Sequence, residues 1–438
     1  MAGVLGGTEL DPTQQGEATE STLLVESPLY SYTFSTRGAR LVRGQLPQFE
    51  SFVTDGPVEL VYPDDGAALG MRLLVGTDTI DLRGYTFQAD PSDGLRLSEG
   101  TGPQTLRFTY QHPSHPFNVE IAYTFRPDRY LVEITNQVAG LDVDLVFTDL
   151  GQGIPFNEEK ERDEVRAAAY VLNHAQEGIR SQLLSRVDGF RIEEGPLLWT
   201  GFKSKYFLMA LMAGASAEEE KYLGGVIAEP TGIENRVNLS ASQAVPSSGV
   251  IGYRLFFGPQ DFARLENIGS DLQNANPYGW KFMRPIVRPF AGIIIKILGF
   301  LHDNLNIGYG WVLILFGVMM RVVLFPLNQK GMKAQMRNMA AQPLMQEIQT
   351  KYKDNPEKLQ KEMMKLYKEH GFNPLAGCLP MLLPWPVLIA LFFVFQNTIE
   401  LRGVSFLWLP DLSAPDPFFI LPAFLGISMF LLQWVSMR

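Results

Sequence analysis

Residues 307–327 read IGYGWVLILFGVMMRVVLFPL, and Arg321 is the one charged residue among these 21. A hydrocarbon layer about 30 Å thick needs about 20 apolar residues in helical form. The stretch therefore reads as a membrane span. Charge stays absent from Asn304 to Gln329 apart from the same arginine. An arginine near the centre of a span costs about 2.5–3.5 kcal/mol on insertion scales. Two readings are open here. The side chain lies about two turns from the polar end and snorkels to the headgroups, or it serves a polar cavity within the membrane.

Working outward, Leu375 to Ile399 is a second uncharged run and predicts a second span. Pro380, Pro384 and Pro386 crowd its first half and predict kinking. Gln396, Asn397 and Thr398 mark its far end, and residues 418–437 form a third span closed by Arg438. Between the first two spans, residues 328–374 hold nine Lys and Arg against five Asp and Glu. Helical pattern runs there through Met332, Met336, Met339, Leu344 and Ile348. It breaks at Lys353-Asp354-Asn355-Pro356 and resumes through Met363, Leu366 and Tyr367. This predicts two antiparallel helices joined by a short turn. Six of the 16 methionines lie in this hairpin, which reads either as an adaptable apolar surface or as a solvated helical pair packed on itself. By the positive-inside rule the hairpin is cytoplasmic, and the loop 400–416, with net charge −2, lies outside. The acidic domain before the first visible span lies outside too. Ahead of that span, KFMRPIVRPFAGIIIKILGFLHD (281–303) sets Lys281, Arg284, Arg288 and Lys296 on one side and Phe282, Ile286, Phe290, Ile293, Ile297 and Phe300 on the other. Its apolar run from Pro289 is 13 residues and contains Lys296, so an amphipathic helix lying in the interface is expected.

Charge divides the chain in two. Residues 280–438 carry 16 Lys and Arg against 9 Asp and Glu, and of the totals of 37 and 47 this leaves 21 against 38 for residues 1–279. The acidic half argues against nucleic-acid binding. From about Leu23 to Phe257 strand follows strand. In FNVEIAYTF (117–125), Phe117, Val119, Ile121, Tyr123 and Phe125 alternate with Asn118, Glu120, Ala122 and Thr124, the period-two signature of a half-buried strand. Further strands are expected at 29–35, 40–46, 58–62, 71–75, 143–149, 189–194, 197–201, 205–213, 223–228, 234–241 and 249–257. Short strands, frequent turns and no βαβ rhythm point to a large antiparallel sandwich. A helix over 260–275 leads out of it. The charge run Glu158–Glu164 reads as a solvated loop or helix start.

The chemistry of an enzyme is not visible. His112 and His115 flank Pro113 in an expected hairpin loop, and His174 stands alone. There is no phosphate-cradling glycine loop, nucleophile elbow or HExxH pattern. Cys378 is the only cysteine, which excludes an intrachain disulfide and a cysteine zinc cluster. Residues 1–20 are small, polar and acidic, predict disorder, and show no signal peptide or earlier span.

The helical half resembles the YidC family of membrane protein insertases. The resemblance rests on MRVVLFPL (320–327), on residues 329–380, on IELRGVSFLWLPDLSAPDPFFILP (399–422) and on GISMFLLQ (426–433). Residues 31–45 and YFLMALMA (206–213) resemble, more loosely, the periplasmic domain of the Gram-negative members. The resemblance implies an all-β periplasmic sandwich followed by an α-helical membrane domain with a cytoplasmic helical hairpin. Its divisions would be a disordered 1–20, a sandwich with its helix over 21–278, an interfacial helix over 279–304 and an insertase domain over 305–438. It favours the polar-cavity reading of Arg321, in a groove open to cytoplasm and lipid and closed toward the outside. Gly317, Trp385 and Leu388 would line the client path. Pro384 stands where many members carry Gln, so the groove loses one polar lining group. Members also have a span before, and two after, the part seen here. The implied partners are nascent membrane proteins, the Sec translocon, the ribosome and membrane lipids, in the bacterial inner membrane. No cofactor, metal or catalytic residue is implied. Two other classes of function remain open: a scaffold of the secretion channel, and a membrane-anchored carbohydrate-binding sandwich.

Overall fold

In the strand Asn118–Phe125 every second side chain is buried: Val119, Ile121, Tyr123 and Phe125. The alternation in the sequence is the alternation of two faces of a sheet. The structure is a computed structural model, and it describes residues 19–64, 66–113, 116–214, 222–276, 278–279, 282–353, 355–369 and 385–436. The expectations for the first 18 residues, for His115 and for Leu375–Pro384 with Cys378 lie outside the described residues.

Two sheets make the first part of the chain. The smaller has five strands in the order Pro57–Glu59, Arg40–Glu50, Ser31–Ser35, Thr22–Glu26 and Leu95–Arg96. The larger has 14, and Asn118–Phe125 sits in it between Gln104–Gln111 and Leu131–Ala139, antiparallel to both. Pairing is antiparallel except between Thr22–Glu26 and Leu95–Arg96, which run parallel. Aromatic rings join the sheets. Tyr32 stacks on Tyr30 at 4.4 Å and reaches Phe257 at 5.6 Å, and Phe34 meets Tyr123 at 4.8 Å. Their hydroxyls are satisfied in the dry core: Tyr32 donates to the Phe257 carbonyl at 3.1 Å and Tyr123 to the Ala39 carbonyl at 2.9 Å. Each ring contributes large apolar area together with a polar handle that needs a partner.

Several expected elements change on inspection. The strands expected at 189–194 and 197–201 are one strand, Arg191–Lys203, carried past Pro196 by a register shift between Glu194 and Leu197. A bulge is where a proline without an N–H fits a strand. The helix expected over 260–275 is shorter: α2 covers Phe262–Ile268, after α1 at Glu161–Ala167. Asp261 caps α2, accepting from Ala263 N at 2.9 Å and Arg264 N at 3.1 Å. Gly269, Ser270 and Asp271 then take positive φ and end it. The Ser270 carbonyl, accepting from the Trp199 indole at 2.8 Å and the Asn173 amide at 2.9 Å, holds that turn.

The chain divides after Ala275, and the second unit is helical. Its helices are α3 (Arg284–Leu305), α4 (Tyr309–Lys351), α5 (Pro356–Glu369), α6 (Trp385–Asn397) and α7 (Ile420–Ser436). Among the described residues, α3 and the Tyr309–Pro326 part of α4 are each long and apolar enough to cross a membrane by length and composition. The apolar run from Pro289 is 13 residues, but the helix that holds it begins at Arg284 and runs for 22.

The run Glu158–Glu164 is not solvated throughout. Glu158 is 6 % and Glu164 0 % exposed. Glu164 accepts from the backbone N–H groups of Asn157 at 3.4 Å and Lys205 at 3.3 Å, so it ties two chain segments to α1. Burial pushes its carboxyl up to about 7, helped by the charge of Glu158 and opposed by those hydrogen bonds and by Lys205. The same group titrates near 4.5 when free. Between those values the folded chain holds a proton that the unfolded chain has lost, so stability falls as pH rises. The Glu164→Gln variant should lose this slope. Thermal unfolding of both forms from about pH 4 to about pH 8 should show the variant gaining on wild type by about 3 kcal/mol. Parallel curves would contradict the assignment.

Candidate functional site

The helix that carries Arg321 starts from a fixed corner. Asn306, with φ of 49°, ends α3. His302 Nδ1 lies 2.8 Å from the Ile307 carbonyl oxygen, and its ring stacks on Tyr309 with centroids 4.2 Å apart. From there α4 runs unbroken for 43 residues with Pro326 and Pro343 inside it. The sequence suggests a span ending at Leu327 and a separate hairpin helix after it. The two are one helix, and the residues that follow Pro326 are rich in strong helix formers.

Val312 and Phe316 form the buried stripe of α4. Gly317 and Arg321 lie four residues apart on an exposed face. A Cβ at Gly317 would meet nothing within 4 Å, so the glycine leaves open space beside the arginine. Arg321 has no ion-pair partner among the described residues. On α6, Trp385 and Leu388 share an exposed face with Phe392, at 54 %, 56 % and 53 % exposure. Ala390 and Val394 are that helix's buried side. The four candidate residues thus come together in two pairs, one per helix.

The helix that touches both is α3, which packs along α6 and more briefly against α4. It has three faces. Val287, Ala291, Ile294 and Leu298 are buried. Ile286, Phe290, Ile293 and Phe300 are apolar and exposed. Arg284, Arg288, Lys296 and Asp303 occupy the remaining arc along most of its length.

At the other end of α6 the chain is sealed by local bonds. The Asn397 amide donates to the Phe393 carbonyl at 2.8 Å and the Thr398 hydroxyl to the Val394 carbonyl at 2.6 Å. The following loop buries Ile399, Leu401 and Leu409. Phe406 and Leu409 exchange backbone hydrogen bonds at 2.9 Å each way. Phe406 meets Trp311 edge-on at 5.3 Å and lies over Gly310 so closely that a Cβ there would enter the ring. Asp416 then caps α7, accepting from Phe418 N at 3.0 Å and Leu421 N at 2.6 Å. Sequence reasoning missed the Gly310–Phe406 contact. Its only trace is a glycine in the first turn of an apolar helix, and nothing local names the ring that fills the space.

No group of three His, Cys, Asp or Glu that could hold a metal occurs among the described residues. His112 lies at a strand end, and His174 is buried with Nδ1 accepting from the Gln176 and Glu177 N–H groups at 3.2 Å each.

Comparison with known proteins gives consistent results. Residues 22–292 match the family described as the YidC periplasmic domain, and residues 300–438 match the 60Kd inner membrane protein family. A membrane protein insertase YidC from Chlorobaculum tepidum is 30 % identical over 97 % of this chain and 74 % of its own length. One from Chlorobium luteolum is also 30 % identical, over 95 % and 74 %. One from Geotalea uraniireducens is 28 % identical over 96 % and 78 %. Among solved structures, a galactose mutarotase-like protein from Lactobacillus casei is 10 % identical with a TM-score of 0.36, covering 55 % of this chain and 100 % of its own.

The Gly310–Phe406 contact can be tested directly. Gly310→Val should displace the ring and destabilise the helical unit by about 1–3 kcal/mol, the usual cost of overpacking. Gly299→Ala, in open space on α3, should be neutral or stabilising by up to about 1 kcal/mol. Thermal unfolding of the two variants side by side checks the contrast, and equal behaviour would remove the loop-docking role of Gly310.

Proposed function

Since the chain belongs to the YidC family of membrane protein insertases, whose clients are nascent membrane proteins, we propose that it inserts them through a polar groove containing Arg321. The observation that carries this reading is a cation without an ion-pair partner among the described residues, on an apolar helix, beside the open space left by Gly317.

The physical logic is simple. A client must carry a polar segment across about 30 Å of hydrocarbon. A wet cavity reaching partway in shortens that barrier. Arg321 holds water there and attracts acidic or polar tail residues of the client. The apolar segment then leaves along the exposed faces of α4 and α6, past Gly317, Trp385 and Leu388, driven by its own transfer into lipid. No step consumes a cofactor.

The same reading orients the chain. The basic hairpin faces the cytoplasm and meets the client or the ribosome first. The acidic sandwich faces the periplasm of an inner membrane and offers a surface to partners such as the Sec translocon. Helix α3 lies in the lipid interface. Support comes from Lys296, a charge in the middle of the helix that shares one arc with Arg284 and Arg288. Its exposed apolar arc then enters the acyl chains of the membrane lipids.

The deciding experiment is insertion in proteoliposomes. Arg321→Ala should lower insertion of clients with acidic tails by about tenfold or more, equivalent to about 1.4 kcal/mol of lost interaction. Arg321→Lys should retain part of it, and clients with uncharged tails should be affected least. Photocrosslinkers at positions 317 and 388 should capture a ribosome-bound client, weakly in the Arg321→Ala background. Undiminished insertion of acidic-tailed clients by Arg321→Ala would refute the groove.

A further inference from the structure

The outward face of the large sheet carries a groove of about 650 Å³. Strand register builds its floor. Gln88, Thr109, Glu120 and Gln137 stand opposite one another on four neighbouring strands, and Gln111 faces Asn118 in the next row. The other face of these strands is core: Phe108, Val119, Ile121 and Val138 are all buried. The groove is therefore part of a rigid scaffold.

Its chemistry is narrow. The side-chain amides of Gln88, Gln111, Asn118 and Gln137 and the Thr109 hydroxyl have no hydrogen-bond partner among the described residues. Glu120, the one carboxylate, is ion-paired with Arg107 at 3.3 Å. The floor thus has no surplus charge to attract a phosphate or a charged peptide, and the exposed apolar side chain of the lining, Pro113 at one end, is too small to hold a lipid tail. Backbone groups of Gln104–Gln111 and Asn118–Phe125 are spent on the ladder, and the edge of the end strand, Gln88–Asp90, is three residues long, too short to register an added peptide strand. What remains is an array of carboxamides, each donor and acceptor at once. Hydroxyl groups on adjacent ring carbons have the same double character. Rows repeat at the strand spacing of about 4.8 Å, comparable to the length of one pyranose unit. At one end His112, half buried, sits with its ring 4.9 Å from that of Phe117 and borders the groove.

We propose that this groove is a binding site for a short, uncharged oligosaccharide, separate from the path of inserted proteins. The sugar lies across the strands, its hydroxyls exchanging hydrogen bonds with the Gln and Asn side chains. Such exposed neutral hydrogen bonds add little each, so affinity is in the millimolar range.

The test is saturation-transfer NMR on the full chain in lipid nanodiscs free of glycolipid. Sugar-headed detergents are avoided because they would compete. Maltotetraose and chitotetraose are the probes, with tripolyphosphate and a neutral decapeptide as controls. Transfer to the ring protons of at least one oligosaccharide is expected. Binding should weaken by about tenfold or more in the double variant Gln111→Ala/Asn118→Ala. Both residues are exposed, so the variant should unfold at the wild-type temperature, and its insertion activity should be unchanged. Silence from both oligosaccharides, full-strength transfer in the double variant, or binding of a control alone would overturn the proposal.

Discussion

A backbone N–H or C=O shut away from water has to find a partner within the protein. The two parts of the chain meet that demand in opposite ways. The sandwich pairs strands across long sequence separations, as Leu131–Ala139 does with Val250–Pro259. The helical unit pairs each residue with its own neighbours along the chain, the only open-chain solution that survives in hydrocarbon. Ends are then the weak points, and short polar side chains cover them. Asp416 supplies the acceptor at the start of α7, while Asn397 and Thr398 bond back to the last turn of α6.

The two parts also differ in what holds them. In the sandwich, rings from both sheets interlock and their hydroxyls are satisfied inside, so the core specifies one arrangement. In the helical unit many apolar side chains face outward, among them Val318, Val322, Phe424 and Leu432. Lipid is as apolar as leucine, so helix association there relies on packing. This places weight on close contacts such as Phe406 against Gly310 and on α3, which touches both α4 and α6.

How much of this the sequence discloses depends on the range of the interaction. Period-two alternation located Asn118–Phe125 because each residue reports its own face. The absence of charge likewise exposed the apolar stretch around Arg321. Features that depend on distant partners were hidden. Nothing in Gly195-Pro196 says that a strand continues through it; a register shift against Leu223–Pro230 decides that. Nothing in the run Glu158–Glu164 says that its last carboxylate is buried; the N–H of Lys205, 41 residues away, does. The short strands Asp78–Asp81 and Gln88–Asp90 were missed because so few residues show no period. For the site, the residue types on each helix were legible, and so was the i, i+4 relation of Gly317 to Arg321. The distance between α4 and α6 was not, since no local pattern encodes it.

The length of α4 has a mechanical consequence. At 1.5 Å per residue, 43 residues extend about 65 Å, roughly twice the hydrocarbon thickness. Its Tyr309–Pro326 part is long and apolar enough to cross a bilayer, and a helix that crossed there would be a lever with its long arm outside the lipid. A tilt of about ten degrees within the lipid would carry its far tip by about 10 Å. Pro326 and Pro343 each remove one hydrogen bond from the ladder, so the lever has two joints. A load on the tip would meet Pro343 first and then Pro326, five residues from Arg321.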